Sequence, residues 1–126
     1  MDILPTVLAA AGITPPAAAP RLDGESLLAP SARTTVYAEY DVDESANPNI
    51  PSWRMIRTRT VKYVHTYSAQ GGIIAREYYN LTNDPNEHTN LLGDSSTTNN
   101  PPAATLTNLV SRLNAFATCV GAACVQ

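Results

Sequence analysis

Apolar residues recur at helical spacing near both ends of the chain and alternate with polar ones between them. Ile3, Leu4, Val7, Leu8 and Ala11 form one apolar stripe, so residues 2–11 are predicted to be helical. Asp2 is placed to cap that helix, Pro5 is tolerable only in its first turn, and Gly12 is a natural stop. A stronger stripe runs through Leu106, Leu109, Val110, Leu113, Phe116 and Ala117, which predicts a long helix over 104–118. Between the two, residues 35–40, 53–58, 61–67 and 73–81 are β-branched, aromatic or alternating, and read as four strands. Gly71-Gly72 makes a good turn, whereas Arg59-Thr60 lacks the Gly or Asn that a tight hairpin prefers. Short connections between strands make an antiparallel sheet the simplest arrangement. The fold class expected is therefore α+β: a four-stranded antiparallel sheet packed by a long C-terminal helix, with a separate N-terminal helix.

The segments between these elements are polar or proline-rich. Pro15, Pro16 and Pro20, with alanines between, predict an extended linker within 13–34. Residues 41–51 read as an acidic loop and residues 93–102, rich in Ser, Thr, Asn and Pro, as another loop. Asp84-Pro85-Asn86-Glu87 has the preferred residues for the N-cap, first and third positions of a helix, so a short helix or helical turn is expected to run to Leu92.

Length and composition narrow the function classes. A chain of 126 residues suits one core, and its net charge of −3 lacks the basic excess usual in proteins that coat nucleic acid. No apolar run approaches the ~20 residues needed to span a bilayer, and no signal peptide is recognisable. Neither nucleic acid nor membrane is expected as a partner.

Candidate chemistry is sparse. His65 and His88 are the only histidines, and neither has Cys or carboxylate neighbours at metal-ligand spacing. No nucleophile elbow, phosphate loop or zinc-helix signature occurs, so no catalytic residue and no metal ligand is assigned. Asp41, Asp43 and Glu44 fit a solvated acidic loop better than a cation site. Arg54, Arg57, Arg59 and Lys62 place half of the eight basic residues within nine positions. Arg57 and Arg59 are expected on one strand face with Trp53 and Met55, either gripping an anion or keeping an edge hairpin soluble. Cys119 and Cys124 enclose four residues, enough for a small disulfide loop in an oxidising compartment, or else stand as two thiols near the end of the chain. Asn80-Leu81-Thr82 matches the glycosylation sequon, a pattern short enough to arise by chance.

The order of several blocks is more telling than any one of them. Asp2-Ile3-Leu4-Pro5-Thr6, Ala11-Gly12-Ile13 and Asp23-Gly24-Glu25-Ser26-Leu27 are followed by Trp53-Arg54-Met55-Ile56-Arg57-Thr58 and Lys62-Tyr63-Val64. Glu77-Tyr78-Tyr79-Asn80-Leu81, Asp84-Pro85, Glu87 and Asn90-Leu91 come next, and a Cys-x-Gly-x-x-Cys loop closes the chain. In this order the blocks resemble the C-terminal region of the sulfatase family, within the alkaline-phosphatase superfamily, and of its arylsulfatase and N-acetylglucosamine-6-sulfatase-like members in particular. Asn80 and Tyr78 depart from the Asp and Leu usual there.

The resemblance implies that residues 1–12 end a helix of the α/β catalytic domain, 13–34 form a linker, and 35–126 form the C-terminal subdomain. It implies a disulfide between Cys119 and Cys124 and structural roles for Asp84, Pro85 and Glu87 in a cap or turn. It makes Trp53, Arg54 and His65 candidates for one wall of a substrate pocket. The complete enzymes use calcium and a formylglycine nucleophile, but the Cys/Ser-x-Pro/Ala-x-Arg motif that yields formylglycine is absent from this chain, as are the family's metal-binding blocks. The expectation is a truncated sulfatase fragment that is inactive alone, with no cofactor of its own. Its expected partners are a catalytic domain, missing or separately encoded, and a sulfated ester or sugar. The alternative is a non-catalytic module that binds sulfated carbohydrate or serves as an interaction module. The family is often secreted or extracytoplasmic, but this chain carries no mark of its own compartment.

Overall fold

A computed structural model describes residues 2–20, 22, 24–30, 33–42 and 50–119. Its elements are α1 (Ile3–Ala10), β1 (Val36–Tyr40), β2 (Trp53–Arg57), β3 (Val61–Tyr67), β4 (Ile73–Asn80) and α2 (Ala103–Phe116). The strands form one antiparallel sheet in sequential order, β1-β2-β3-β4. The chain forms two compact units, Thr35–Ala115 and Met1–Thr34 with Phe116–Gln126.

The sheet unit is held by a core of Ile56, Tyr63, Tyr78, Leu109 and Leu113, with Tyr37, Val61, Leu91, Leu92, Leu106 and Val110 packed around it. Ile56, Tyr63 and Tyr78 are cross-strand partners in register, so they stand side by side on one face of the sheet. The α2 stripe lies on that face through Leu109 and Leu113, four residues apart. Helical periodicity on one partner and strand alternation on the other thus meet at a single apolar seam.

Two turns explain why the strands pair as they do. The β2–β3 hairpin has neither Gly nor Asn, yet Thr58 replaces their effect: its hydroxyl accepts hydrogen bonds from the amides of Thr60 (3.3 Å) and Val61 (3.0 Å). Strand β2 ends at Arg57, so Arg59 sits in the turn and does not share a strand face with Arg57 as predicted. The β3–β4 connection turns on Gly71, whose φ of +79° few side-chain-bearing residues adopt.

The outer edge of β4 is closed by one side chain. Asn90 Oδ1 accepts from the amides of Tyr78 (2.9 Å) and Leu92 (3.0 Å), while its Nδ2 donates to the Arg76 carbonyl (3.2 Å). The Leu91 amide adds a bond to the Tyr78 carbonyl. Edge-strand groups that would otherwise invite another chain are thereby satisfied. Gly93 allows this clip to form, because a Cβ there would lie 2.7 Å from Asn90 Nδ2.

Of the short helix or helical turn expected from Asp84 to Leu92 only a turn forms, closed by the Glu87 amide on the Asp84 carbonyl (3.2 Å), and extended backbone follows it. Asp84 does cap backbone amides, but those of His88 (3.0 Å) and Thr89 (2.8 Å). Glu87 has φ +59°, a left-handed value that stops helical propagation, and its carboxylate turns to the sheet instead of back to Asp84. Asp2 likewise makes no side-chain cap on α1. Its carboxylate receives Arg33 through both guanidinium nitrogens (2.9 and 3.1 Å) and the Glu25 amide (3.0 Å). The Arg33 hydrogen bond first, and the Glu25 amide second, hold Asp2 below its ordinary pKa. No residue of α1 is buried, and Ile3, Leu4 and Val7 are each more than half exposed. The pairing expected between Cys119 and Cys124, and the acidic side chains of Asp43 and Glu44, involve positions outside the described residues.

Two substitutions probe this account. Leu113→Ala removes a fully buried side chain from the seam and should destabilise the chain by about 2–5 kcal/mol in urea unfolding. Gly93→Ala should cost about 1–2 kcal/mol by displacing the Asn90 clip, and Asn90→Ala a similar amount. An unchanged midpoint for all three would contradict the packing described.

Candidate functional site

Strand alternation sorts the predicted site residues. On β2, Arg54 and Ile56 face α2, whereas Trp53, Met55 and Arg57 point to the opposite side. Trp53 therefore does not join Arg54 and His65 on one sheet surface. Arg54 and His65 are direct cross-strand partners, and His65 pairs in turn with Arg76 on β4. With Glu39 opposite Arg54, a polar row, Glu39-Arg54-His65-Arg76, crosses all four strands beyond the end of the apolar core.

His65 is the buried centre of this row, only 1% exposed. Its Nε2 lies 2.6 Å from the Tyr63 hydroxyl and its Nδ1 3.4 Å from that of Tyr67. Both tyrosine rings meet the imidazole edge-on. Burial first, and the nearby charge of Arg76 second, lower the His65 pKa below 6.5, so the ring is neutral at pH 7. Burial also raises the Tyr63 pKa. Arg54 donates to Glu39 (3.2 Å) and lies 5.4 Å from the Tyr67 ring centre. Arg76 is exposed and has no ion pair among the described residues. One residue past His65 the register shifts, with Thr66 opposite Ala75 but Tyr67 opposite Ile73, so Ile74 is an extra residue in β4. Such bulges re-aim neighbouring side chains.

The opposite sheet surface carries a second charged group. Glu87 bridges Lys62 (2.5 Å) and Arg57 (2.6 Å), partners in register on β3 and β2. The Lys62 hydrogen bond is the main reason Glu87 is held below its ordinary pKa. Lys62 also lies 5.6 Å from the Tyr79 ring centre. The Tyr79 hydroxyl donates to Glu77 (2.7 Å), which pushes its pKa up to about 12. With its charges paired, this cluster ties the Asp84–Glu87 turn to the sheet and leaves no nucleophile. Among the described residues no group of three or more His, Cys, Asp or Glu is placed to hold a metal ion, so no step through calcium is assigned to this chain. Among them, too, no helix is long and apolar enough to cross a membrane.

Arg76 is the residue that sequence reading missed. It lies 22 positions from Arg54, outside the basic run, and only the β3–β4 register places it beside His65. The Gly71-Gly72 turn marks the hairpin, but the extra residue at Ile74 shifts the count by one, so a count from the turn would set His65 opposite Ala75.

The pH dependence follows from these pKa shifts. His65 resists protonation when folded, so its contribution to stability is complete above about pH 6.5 and declines as pH falls below that value. Glu87, depressed from 4.5, contributes above that value, and its share is lost as pH falls through its folded pKa. Urea midpoints should therefore fall between pH 7 and 5 and again in stronger acid. His65→Phe should flatten the first decline and leave the second; an unaltered profile would show that His65 is not the group responsible.

No protein-family model matches the sequence, and no curated protein does either. Solved structures do. BT4656, determined in complex with its substrate D-glucosamine-2-N,6-O-disulfate, aligns at TM-score 0.63 and 26% identity over 90% of this chain and 22% of its own. A protein of Bacteroides thetaiotaomicron VPI-5482 assigned as a sulfatase aligns at TM-score 0.64 and 25% identity over 93% of this chain and 24% of its own. The chain thus spans about a quarter of the length of the structures it matches. The likeness to sulfatases carried by the ordered residue blocks holds in three dimensions, and this chain has the fold of one segment of a sulfatase.

Proposed function

We propose that the chain is the C-terminal portion of a sulfatase, a sulfuric ester hydrolase, cut from its catalytic domain, and that in the complete enzyme its sheet contributes to the substrate pocket. The observation that carries this reading is the asymmetry of the structural matches, which take in nine-tenths of this chain and under a quarter of each neighbour. Sulfate-ester hydrolysis needs an in-line nucleophile and a strong positive field on the sulfate oxygens. This sequence has no formylglycine motif, so the nucleophile, and the calcium with it, belongs to the part that the chain does not include.

The exposed side of α1 supports the same reading. Ile3, Leu4 and Val7 form an apolar face that the catalytic domain would cover. Arg54 and His65 are the pocket-wall candidates that share a surface, and Trp53 would serve only a ligand on the other side of the sheet.

The isolated chain should not turn over an aryl sulfate, and activity that copurifies with it to homogeneity would overturn the proposal. Coexpression with a sulfatase lacking the matching segment should yield a stable complex. A chain that stays monomeric in sedimentation, with and without that partner, would count equally against it.

A further inference from the structure

We infer that the two outer edges of the sheet pair with each other between copies of this chain, β4 of one copy against β1 of the next, with Arg76 meeting Glu39 of the next copy. This goes beyond the sulfatase reading, which assigns a role to neither edge.

The row Glu39-Arg54-His65-Arg76 ends in an acid at the β1 edge and a base at the β4 edge, on one surface of the sheet. Both end residues are exposed. Arg76 has no carboxylate partner among the described residues. Glu39 receives Arg54 on Oε2 (3.2 Å), and among the described residues nothing occupies its Oε1. A second copy added edge to edge continues the row with an opposite-charge contact at the join.

Strand direction and backbone fit the same join. Three antiparallel pairings set β4 opposite in direction to β1, so β1 of the next copy lies antiparallel to β4. In such a sheet, successive residues bond alternately to the strand on either side. Tyr78 and the Arg76 carbonyl bond outward, to Leu91 and Asn90. Carried across the register, this alternation makes Glu39 an outward residue of β1. Among the described residues, no hydrogen bond from outside the sheet reaches the backbone of Glu39, the backbone of Ile74 or the Arg76 amide.

The Asn90 clip stops at Arg76, and an open groove follows β4 past Ile73 and Ile74, which are 43% and 61% exposed. A strand laid there covers apolar surface as well as backbone. Glu77 also borders the groove, but it is engaged by the Tyr79 hydroxyl, and alternation sets it on the other surface from Arg76. The clip and the bulge at Ile74 keep the contact short, so the association is weak. It is also heterologous: each copy offers one edge of each kind, so growth does not stop at two.

The rival role for both charges is to blunt the edges and keep the chain monomeric. Sedimentation equilibrium of the full chain at pH 7, from micromolar to millimolar concentration, separates the two roles. The weight-average mass is expected to rise past that of a dimer, and to rise less in high salt. Arg76→Glu and Glu39→Lys should each weaken association about tenfold, and Arg76→Gln and Glu39→Gln, which add no repulsion, by less. Mixing Arg76→Glu with Glu39→Lys should restore association, since each altered edge then meets an opposite charge. Val7→Glu, on the exposed face of α1, should leave it unchanged. Far-UV spectra matching the parent show that each variant is folded. A chain monomeric throughout, or an assembly that stops at dimers, overturns the inference. So does association that survives Arg76→Glu, is lost in Val7→Glu, or fails to recover on mixing. The sulfatase reading survives each of these results, because it is tested by turnover and by complex formation with a sulfatase lacking the matching segment.

Discussion

The packing of Tyr63 at the centre of β3 is the interaction on which the rest depends. Its ring is in the seam between the sheet and α2, and its hydroxyl is bonded to His65. One residue thus belongs both to the apolar core and to the polar row beyond it. Because β3 is an interior strand, pairing on both sides, displacement of Tyr63 would disturb Ile56 on β2 and Tyr78 on β4 together. The row Glu39-Arg54-His65-Arg76 keeps its spacing only as long as that register holds. The imidazole stays neutral beside two arginines because burial first, and the charge of Arg76 second, disfavour its protonation.

The two units satisfy their surfaces differently. Unit Thr35–Ala115 covers its apolar seam with α2 and its strand edge with Asn90. In the unit containing α1, the polar join is complete, since Asp2, Arg33 and Glu25 satisfy one another, but the apolar side of the helix is bare. The exposed face beside that polar clasp is the surface that the proposed catalytic domain would cover.

Much of the fold was legible because its signals are local. Four strands and both helices appear within two residues of their predicted limits, since alternation and helical stripes depend only on neighbours. Long-range partners were not legible. Asp2 and Glu87 both occupy positions that sequence rules assign to helix caps, yet each was claimed by cations distant in the chain, Arg33 and the Arg57–Lys62 pair. Trp53 and Arg54, both candidates through the family resemblance, are adjacent in sequence, but alternation sends them to opposite surfaces. Arg76 escaped notice because nothing in its immediate sequence marks it, and its importance lies wholly in the strand pairing.

Amide hydrogen exchange, resolved by residue, tests the central claim most directly. If the Tyr63-centred seam holds one self-sufficient unit while α1 lacks its packing partner, the β3 amides from Tyr63 to His65 should exchange only through global unfolding. The amides of Leu8 to Ala10 should exchange orders of magnitude faster. Equal protection in α1 and β3, or rapid exchange through β3, would contradict the account.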